Sequence, residues 1–113
     1  MIGIRGAIAE VSNTSEDIIS STKELFIKIL ETNSLEVNKI ISVLFTTTHD
    51  LTDAFPAKAI RELGYTSISA IDTLAPNVKN DLKGCIRVLV HYDDEITFQH
   101  VYLGEAKNLR PDR

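Results

Sequence analysis

The sequence predicts an α+β domain in which a mixed β-sheet carries its helices on one face. Three observations lead to this fold class. The 113 residues, 43% of them hydrophobic, suit a single domain over 1–113 with one core, and no Pro/Gly/Ser-rich linker divides them. One long segment with apolar residues at helical spacing follows a segment with the pattern of a strand. The whole element order is β-α-β-α-β-β-β, which places helices against a sheet of mixed strand direction.

The first two elements are a strand over 2–9 and a long helix. Isoleucines alternate on one face of this strand, and Arg5 lies on the other face. Two glycines within the strand indicate that another element approaches its backbone closely. Thr14 is the expected N-cap of the helix, and apolar residues then recur at helical spacing to about Thr32.

The next two elements are an interior strand and a short helix. Residues 39–47 are apolar on both faces, which is typical of a strand in the middle of a sheet. A polar loop follows this strand. The short helix covers 55–63, with Pro56 in its first turn and Gly64 as its stop signal.

Three more strands complete the predicted sheet. They are a short strand over 67–71, a strand over 85–92 after a loop over 72–83, and a last strand over 96–103 after a turn. Residues 104–112 form a tail with room for a helical turn. Because the helices cover only one face of this sheet, the other face would be left bare, so we expect a homo-oligomer.

Composition excludes several classes of function. The net charge is −4 and no cluster of Lys or Arg is present, so a nucleic-acid partner is not expected, although a few cations could still bind a small anion. Because Cys85 is the only cysteine and the three histidines are far apart, neither a disulfide within the chain nor a metal site is expected. Apolar runs are too short to span a bilayer and no signal pattern opens the chain, so we expect a cytoplasmic protein with no membrane partner.

Arginines are the residues most suited to chemistry. No Ser/His/Asp or Cys/His pattern has local support, and Cys85, at the start of a strand, is better interpreted as a small buried residue than as a nucleophile. Arg5 and Arg87 lie in the middle of strands. If the face that bears Arg87 is covered, its guanidinium requires an anion, because an unpaired buried charge is too costly. From the residues alone, an exposed arginine on a solvent face is the simpler interpretation.

Four further side chains are candidates for binding. Lys58 and Arg61 are three residues apart on the short helix and can share a face. Arg110 lies in the tail, and Tyr102 lies in the last predicted strand. Ordinary solvated charges, and half-buried packing for the tyrosine, are the alternative interpretations.

Six short strings, in the same order along the chain, carry a resemblance to a known family. They are Ile4-Arg-Gly-Ala7, Asp50-Leu51, Ala54-Phe-Pro-Ala-Lys-Ala59, Cys85-Ile-Arg-Val88, His100-Val-Tyr-Leu103 and Leu109-Arg-Pro-Asp112. Together, and over nearly the whole length, the chain resembles the small bacterial chorismate mutases that form a homotrimeric pseudo-α/β barrel. The resemblance implies that the chain converts chorismate to prephenate, in a homotrimer whose active sites lie between subunits.

The implied reaction is a Claisen rearrangement, which needs no nucleophile, no proton transfer, no metal and no organic cofactor. It requires the substrate to be folded into a chair-like conformer. It also requires cations where negative charge gathers on the breaking ether oxygen. Arginine suits a substrate with two carboxylates, because its charge is permanent and its planar fork binds a carboxylate through two hydrogen bonds.

The resemblance also implies the roles of individual residues. Arg87 matches the arginine that contacts the ether oxygen and a carboxylate, whereas Arg5 and Tyr102 match residues that bind a carboxylate. The remaining matches line the pocket or surround its mouth: Phe55, Ala57, Lys58, Arg61, Leu109 and Arg110.

The chain departs from the family in the loop before the 85–92 strand. The family commonly has a glutamate there, which pairs with the key arginine and accepts a hydrogen bond from the substrate hydroxyl. That position is Ala75 in this chain. We hypothesise that Asp72 supplies the missing carboxylate from a neighbouring position. The family also often carries a longer tail, so we expect a shortened lid over the site.

Two other functions stay open on the sequence alone. One is a regulatory relative that binds chorismate or prephenate without turnover, which the absence of a glutamate at Ala75 would favour. The other is a small trimeric interaction domain whose arginines serve subunit contacts, because related folds occur without this activity.

Overall fold

The computed structural model describes residues 1–108, which form one five-stranded β-sheet with two α-helices. The strands are β1 (Ile2–Ile8), β2 (Ile40–Thr47), β3 (Ser69–Leu74), β4 (Ile86–Tyr92) and β5 (Val101–Leu103). The helices are α1 (Ser15–Asn33) and α2 (Ala57–Glu62), and short 3₁₀ turns cover Val37–Lys39 and Gly104–Asn108. Within residues 1–108, no helix combines the length and the apolarity that crossing a membrane requires.

The order of the strands across the sheet is β3-β2-β4-β1-β5. Strand β4 runs antiparallel to both of its neighbours, whereas β3 is parallel to β2 and β5 is parallel to β1. The sheet is therefore mixed, as predicted, and β2 has neighbours on both sides, as its apolar pattern indicated. The two strands that carry the candidate arginines, β1 and β4, lie side by side.

The hydrophobic core lies between the helices and one face of the sheet. Its most buried members, all at most 1% exposed, come from both layers: Ile4, Ile18, Leu25, Phe26, Ile29, Phe45, Ile60, Ile86 and Val90. Gly6 lies beneath α1, where an added Cβ would stand 2.7 Å from Cδ1 of Ile29. The close approach predicted from the glycines of the first strand is therefore present at Gly6. With both helices on this side, the predicted α+β class is confirmed and the opposite face of the sheet is free to bear a site.

Helix α1 begins with the predicted cap. The backbone of Thr14 is extended, and its hydroxyl accepts a hydrogen bond from the Asp17 N–H at 3.1 Å. Thr14→Ala is expected to lower the free energy of unfolding by about 1 kcal/mol, because this N–H loses its partner. Urea denaturation followed by circular dichroism measures the change. Ser12→Ala, at an exposed position nearby, should change it by less than about 0.5 kcal/mol, and equal effects of the two substitutions would contradict the capping role.

The third strand begins and ends later than the sequence predicts. It pairs with β2 from Ser69 to Leu74, whereas a strand over 67–71 was expected. Asp72 therefore lies within a strand rather than in the predicted loop. An aspartate is tolerated there because a backbone N–H of α2 satisfies its carboxylate, as described below.

The last strand is shorter than the sequence predicts. It was expected over 96–103, but only Val101–Leu103 pair with β1. The side chain of Asn33, at the end of α1, binds the backbone of Gln99, accepting from its N–H at 2.7 Å and donating to its carbonyl at 3.0 Å. Because these backbone groups are satisfied by a side chain, the segment before Val101 does not need a strand neighbour.

Candidate active site

The face of the sheet opposite the helices carries a cavity of about 290 Å³. Four strands and the loop after β3 contribute to its lining. The lining residues that matter for chemistry are Arg5, Arg87, Tyr102, Thr46 and Ala75, and the apolar ones include Leu44 and Leu89. The structure therefore brings together both strand arginines and the tyrosine that the sequence singled out.

A larger cavity, of about 460 Å³, lies under the loop after β3. Residues 76–83 form one of its walls, and Thr48, His49 and Asp50 form the other. No arginine lines it, whereas the smaller cavity contains two, so the smaller cavity is the candidate active site. Among residues 1–108, no three side chains of His, Cys, Asp or Glu lie close enough together to hold a metal ion.

The register of the sheet sets the geometry of the site. Thr46, Arg87, Ala7 and Tyr102 form one row across β2, β4, β1 and β5. Arg87 and Tyr102 are thus two strand spacings apart, which is about 10 Å at the backbone. Because Ala7 between them is small, the row leaves room above β1. Arg5 lies in the next row, where β1 pairs it with Leu89 of β4.

Arg87 forms an ion pair at the edge of this cavity. Its Nη2 lies 3.1 Å from Oδ2 of Asp81, and the two side chains are 32% and 13% exposed. A half-buried guanidinium with a carboxylate partner fits the expectation that a covered arginine requires an anion. The charge is therefore held in place rather than free to move in solvent.

Arg5 is held through its backbone as well as by its strand. Its N–H donates a hydrogen bond to Nδ1 of His100 at 2.9 Å. The ring of His100 also contacts the ring of Phe98 edge-on, with centroids 5.6 Å apart. Loss of solvation lowers the pKa of His100, and the nearby charge of Arg5 lowers this pKa further. The neutral imidazole, which can accept the hydrogen bond, is therefore the favoured form.

Asp72 lies on the helix side of the sheet, away from the cavity. It pairs with Phe45, whose side chain is fully buried in the core. Oδ1 of Asp72 accepts a hydrogen bond from the N–H of Ala57, the first residue of α2, at 2.9 Å. Burial raises the pKa of this carboxyl, while the hydrogen bond and the charge of Arg61 partly oppose the rise. Within one chain the structure does not bring Asp72 to Arg87, so the hypothesis that it replaces the family's glutamate gains no support.

Four of the residues predicted to line the pocket or to surround its mouth lie on or next to α2. Phe55 is 70% exposed, whereas Ala57 is buried. Lys58 is exposed, and its Nζ lies 3.9 Å from Oε2 of Glu62. Arg61 is exposed as well. None of these four candidates lines the cavity that contains Arg5 and Arg87. Two further candidates, Leu109 and Arg110, lie outside the described residues.

Sequence reasoning missed two side chains near the arginines. Thr46 follows Leu44 by two residues on β2, and both line the cavity, so the alternation of this strand could have placed Thr46 on the open face. Asp81 lies in the predicted loop, and no local pattern connects it with Arg87. Its position became evident only from the path of the loop.

Comparison with known proteins identifies the family of this chain. The sequence profile of the family described as chorismate mutase type I matches residues 1–113. A chorismate mutase AroH from Thermus thermophilus is 40% identical over 114 residues, covering 97% of this chain and 93% of that protein. A chorismate mutase AroH from Bacillus subtilis (strain 168) is 37% identical over 116 residues, covering 97% and 90%.

A solved structure gives the same result for the fold. The chorismate mutase from Clostridium thermocellum superposes with a TM-score of 0.93 at 41% sequence identity, covering 96% of this chain and 100% of that one. Profile, relatives and structure each cover nearly the whole chain, as the six strings in the sequence indicated. The chain therefore belongs to the chorismate mutase type I family.

Proposed function

We propose that this protein catalyses the rearrangement of chorismate to prephenate. The observation that carries the proposal is that Arg5 and Arg87 meet in one cavity of a chorismate mutase type I domain. The described residues that line this cavity include no carboxylate, and two leucines and two alanines are among the rest. Two cations in such surroundings suit a dianion with an apolar ring.

The proposed mechanism uses the cavity to restrict the substrate and to stabilise charge. Arg5 and Tyr102 bind substrate carboxylates and so hold the chair-like conformer. Arg87 donates to the ether oxygen, where negative charge increases as the bond breaks. Because the guanidinium is already oriented and partly shielded from water, its interaction with that charge is stronger than it would be in solution. The chemistry needs no group from the protein to form a bond or to transfer a proton.

We propose that the active form is a homotrimer with each site between two subunits. Three large apolar side chains are strongly exposed on β3 and before α2: Phe55 at 70%, Ile71 at 65% and Leu74 at 59%. Apolar surface of this kind commonly marks an interface between proteins. In this arrangement Phe55, Ala57, Lys58 and Arg61 of one subunit, together with Leu109 and Arg110, would complete a neighbouring site. Light scattering coupled to size-exclusion chromatography should give three times the 12.6 kDa of one chain.

A cytoplasmic location is part of the proposal. Cys85 is the only cysteine of the sequence and is buried. A small domain that does not rely on a disulfide framework suits a reducing compartment. Fractionation of cells that express the protein tests this location.

Turnover of chorismate is the direct test of the proposed activity. Purified protein should accelerate the loss of chorismate absorbance far above the uncatalysed rate, with prephenate as the product identified by mass spectrometry. Folded, oligomeric protein that binds chorismate without accelerating this loss would overturn the proposal.

Protonation of His100 is expected to lower the activity at acidic pH. The folded-state pKa of His100 lies below the ordinary 6.5. The neutral ring, which accepts the hydrogen bond from the Arg5 N–H, is therefore fully populated above pH 6.5, and it is lost as pH falls through the lowered pKa. On the acidic limb of the pH profile we expect kcat/KM to fall by roughly two- to tenfold, which corresponds to the contribution of about one hydrogen bond. In His100→Asn, whose Oδ1 can accept from the same N–H without titrating, this limb should be absent from the pH profile. An unchanged limb in the variant would assign the acid loss to another group.

A further inference from the structure

The loop between β3 and β4 places a carboxylate beside Arg87. Asp81 Oδ2 lies 3.1 Å from Nη2 of the arginine, and the Asp81 side chain is only 13% exposed. Asp81 lines the larger cavity under the loop, whereas Arg87 lines the candidate active site. The ion pair therefore spans the boundary between the two cavities, with the arginine on the side of the active site.

Asp81 is itself held by the turn on which it lies. Its Oδ1 accepts a hydrogen bond from the Leu82 N–H at 2.9 Å, and its own N–H donates to the carbonyl of Val78 at 3.3 Å. The loop is then tied to the segment after β1, because the carbonyl of Lys83 accepts a hydrogen bond from the Glu10 N–H at 3.0 Å. A carboxylate fixed in this way can orient a long and flexible arginine side chain.

The contact with Asp81 leaves most of the guanidinium available. A guanidinium has five N–H donors, and the hydrogen bond to Asp81 uses one of them, on Nη2. The other donors can still address an anion in the cavity. Because Asp81 contacts the guanidinium only at Nη2, it limits the rotamers of Arg87 and leaves the other N–H donors available. Asp81 therefore orients Arg87 rather than blocking it.

We propose that Asp81 is a positioning residue for catalysis, whose carboxylate holds the guanidinium of Arg87 in the orientation that meets the reacting oxygen. This inference rests on the proposed function of the cavity. Without the carboxylate, Arg87 samples other rotamers, and some enzyme–substrate complexes lack a cation at the ether oxygen. The loss falls mainly on kcat, because the transition state depends on this alignment more than the binding of a dianion does.

Asp81→Asn is the sharpest test of this role. Asparagine keeps an Oδ1 acceptor for the Leu82 N–H but replaces the acceptor that faces Arg87 with an N–H donor. For chorismate turnover we expect kcat to fall by roughly 10- to 100-fold while KM changes by less than about threefold. Asp81→Glu, which restores the charge, should recover part of kcat. Asp93→Asn, which removes an exposed carboxylate beyond the far end of β4, is the matched control and should stay within about twofold of the wild type.

A second comparison separates positioning from a merely structural role. In an Arg87→Lys background, Asp81→Asn should lower kcat by less than about threefold, because the guanidinium that Asp81 orients is absent. An equal loss in both backgrounds would overturn the proposal, as would kcat and KM within twofold of the wild type for Asp81→Asn. If Asp81→Asn fails to fold by circular dichroism, Asp81→Ser carries the same expectation, since its hydroxyl can accept from Leu82. Wild-type protein without turnover would contradict the proposed function and this inference together, whereas active wild type with unaffected variants contradicts the inference alone.

Discussion

Arg87→Ala is expected to lower kcat by roughly a thousandfold. In the proposed mechanism this guanidinium is the group that meets the charge on the breaking ether oxygen. Its neighbours in the row across the sheet, Thr46 and Ala7, carry no charge that could replace it. The side chain is 32% exposed and lies outside the helix-side core, so its removal should leave the fold intact. Steady-state assays of chorismate loss, beside thermal melting of both proteins, measure the two effects separately.

Two control variants sharpen the interpretation of Arg87→Ala. Arg87→Lys keeps the charge but loses the planar fork, so its kcat should lie between the values of the wild type and the alanine variant. Lys28→Ala removes an exposed cation from α1, remote from the cavity lining, and should leave kcat within about twofold. A loss of less than tenfold in Arg87→Ala would assign the stabilisation of the ether oxygen to another residue.

The faces of the arginine-bearing strands could be predicted from the sequence. Side chains alternate along a strand, so the apolar face of β1 and of β4 determines that Arg5 and Arg87 point the other way. The meeting of these arginines with Tyr102 required more information. It depends on the register of β5 beside β1, where Ala7 pairs with Tyr102, and no local pattern specifies which strands become neighbours.

The positions of the carboxylates of Asp72 and Asp81 could not be predicted from their spacing in the sequence. Treating Asp72 as a loop residue left its direction open, and the extension of β3 turns it towards the core, beside Phe45. A difference of three residues in a strand end therefore moved this carboxylate to the other side of the sheet. Asp81 reaches Arg87 only because the loop is tied down by distant segments around Glu10 and Asp50. Such contacts are properties of the folded chain rather than of any local pattern.

Gly84 makes two of the contacts that tie this loop to distant segments of the chain. Its N–H donates to Oδ2 of Asp50 at 2.9 Å, and its carbonyl accepts from the Val11 N–H at 2.9 Å. Its φ is +58°, and an added Cβ would overlap the carbonyl oxygen of Val11 and stand 2.8 Å from the nitrogen of the same residue. A side chain at this position must therefore separate the loop from the segment after β1, two residues before the strand that carries Arg87.

Gly84→Ala is accordingly expected to lower the free energy of unfolding by about 3 kcal/mol or more, because a left-handed conformation and a backbone clash act together. Gly64→Ala is the matched control, since φ there is +88° but nothing lies within 4 Å of an added Cβ. It should cost only about 1–2 kcal/mol, the strain of the left-handed conformation alone. Urea denaturation of both variants at equal protein concentration measures the difference, which isolates the contact with Val11. Equal losses would show that backbone conformation alone accounts for the glycine and that the loop does not depend on its close approach to Val11.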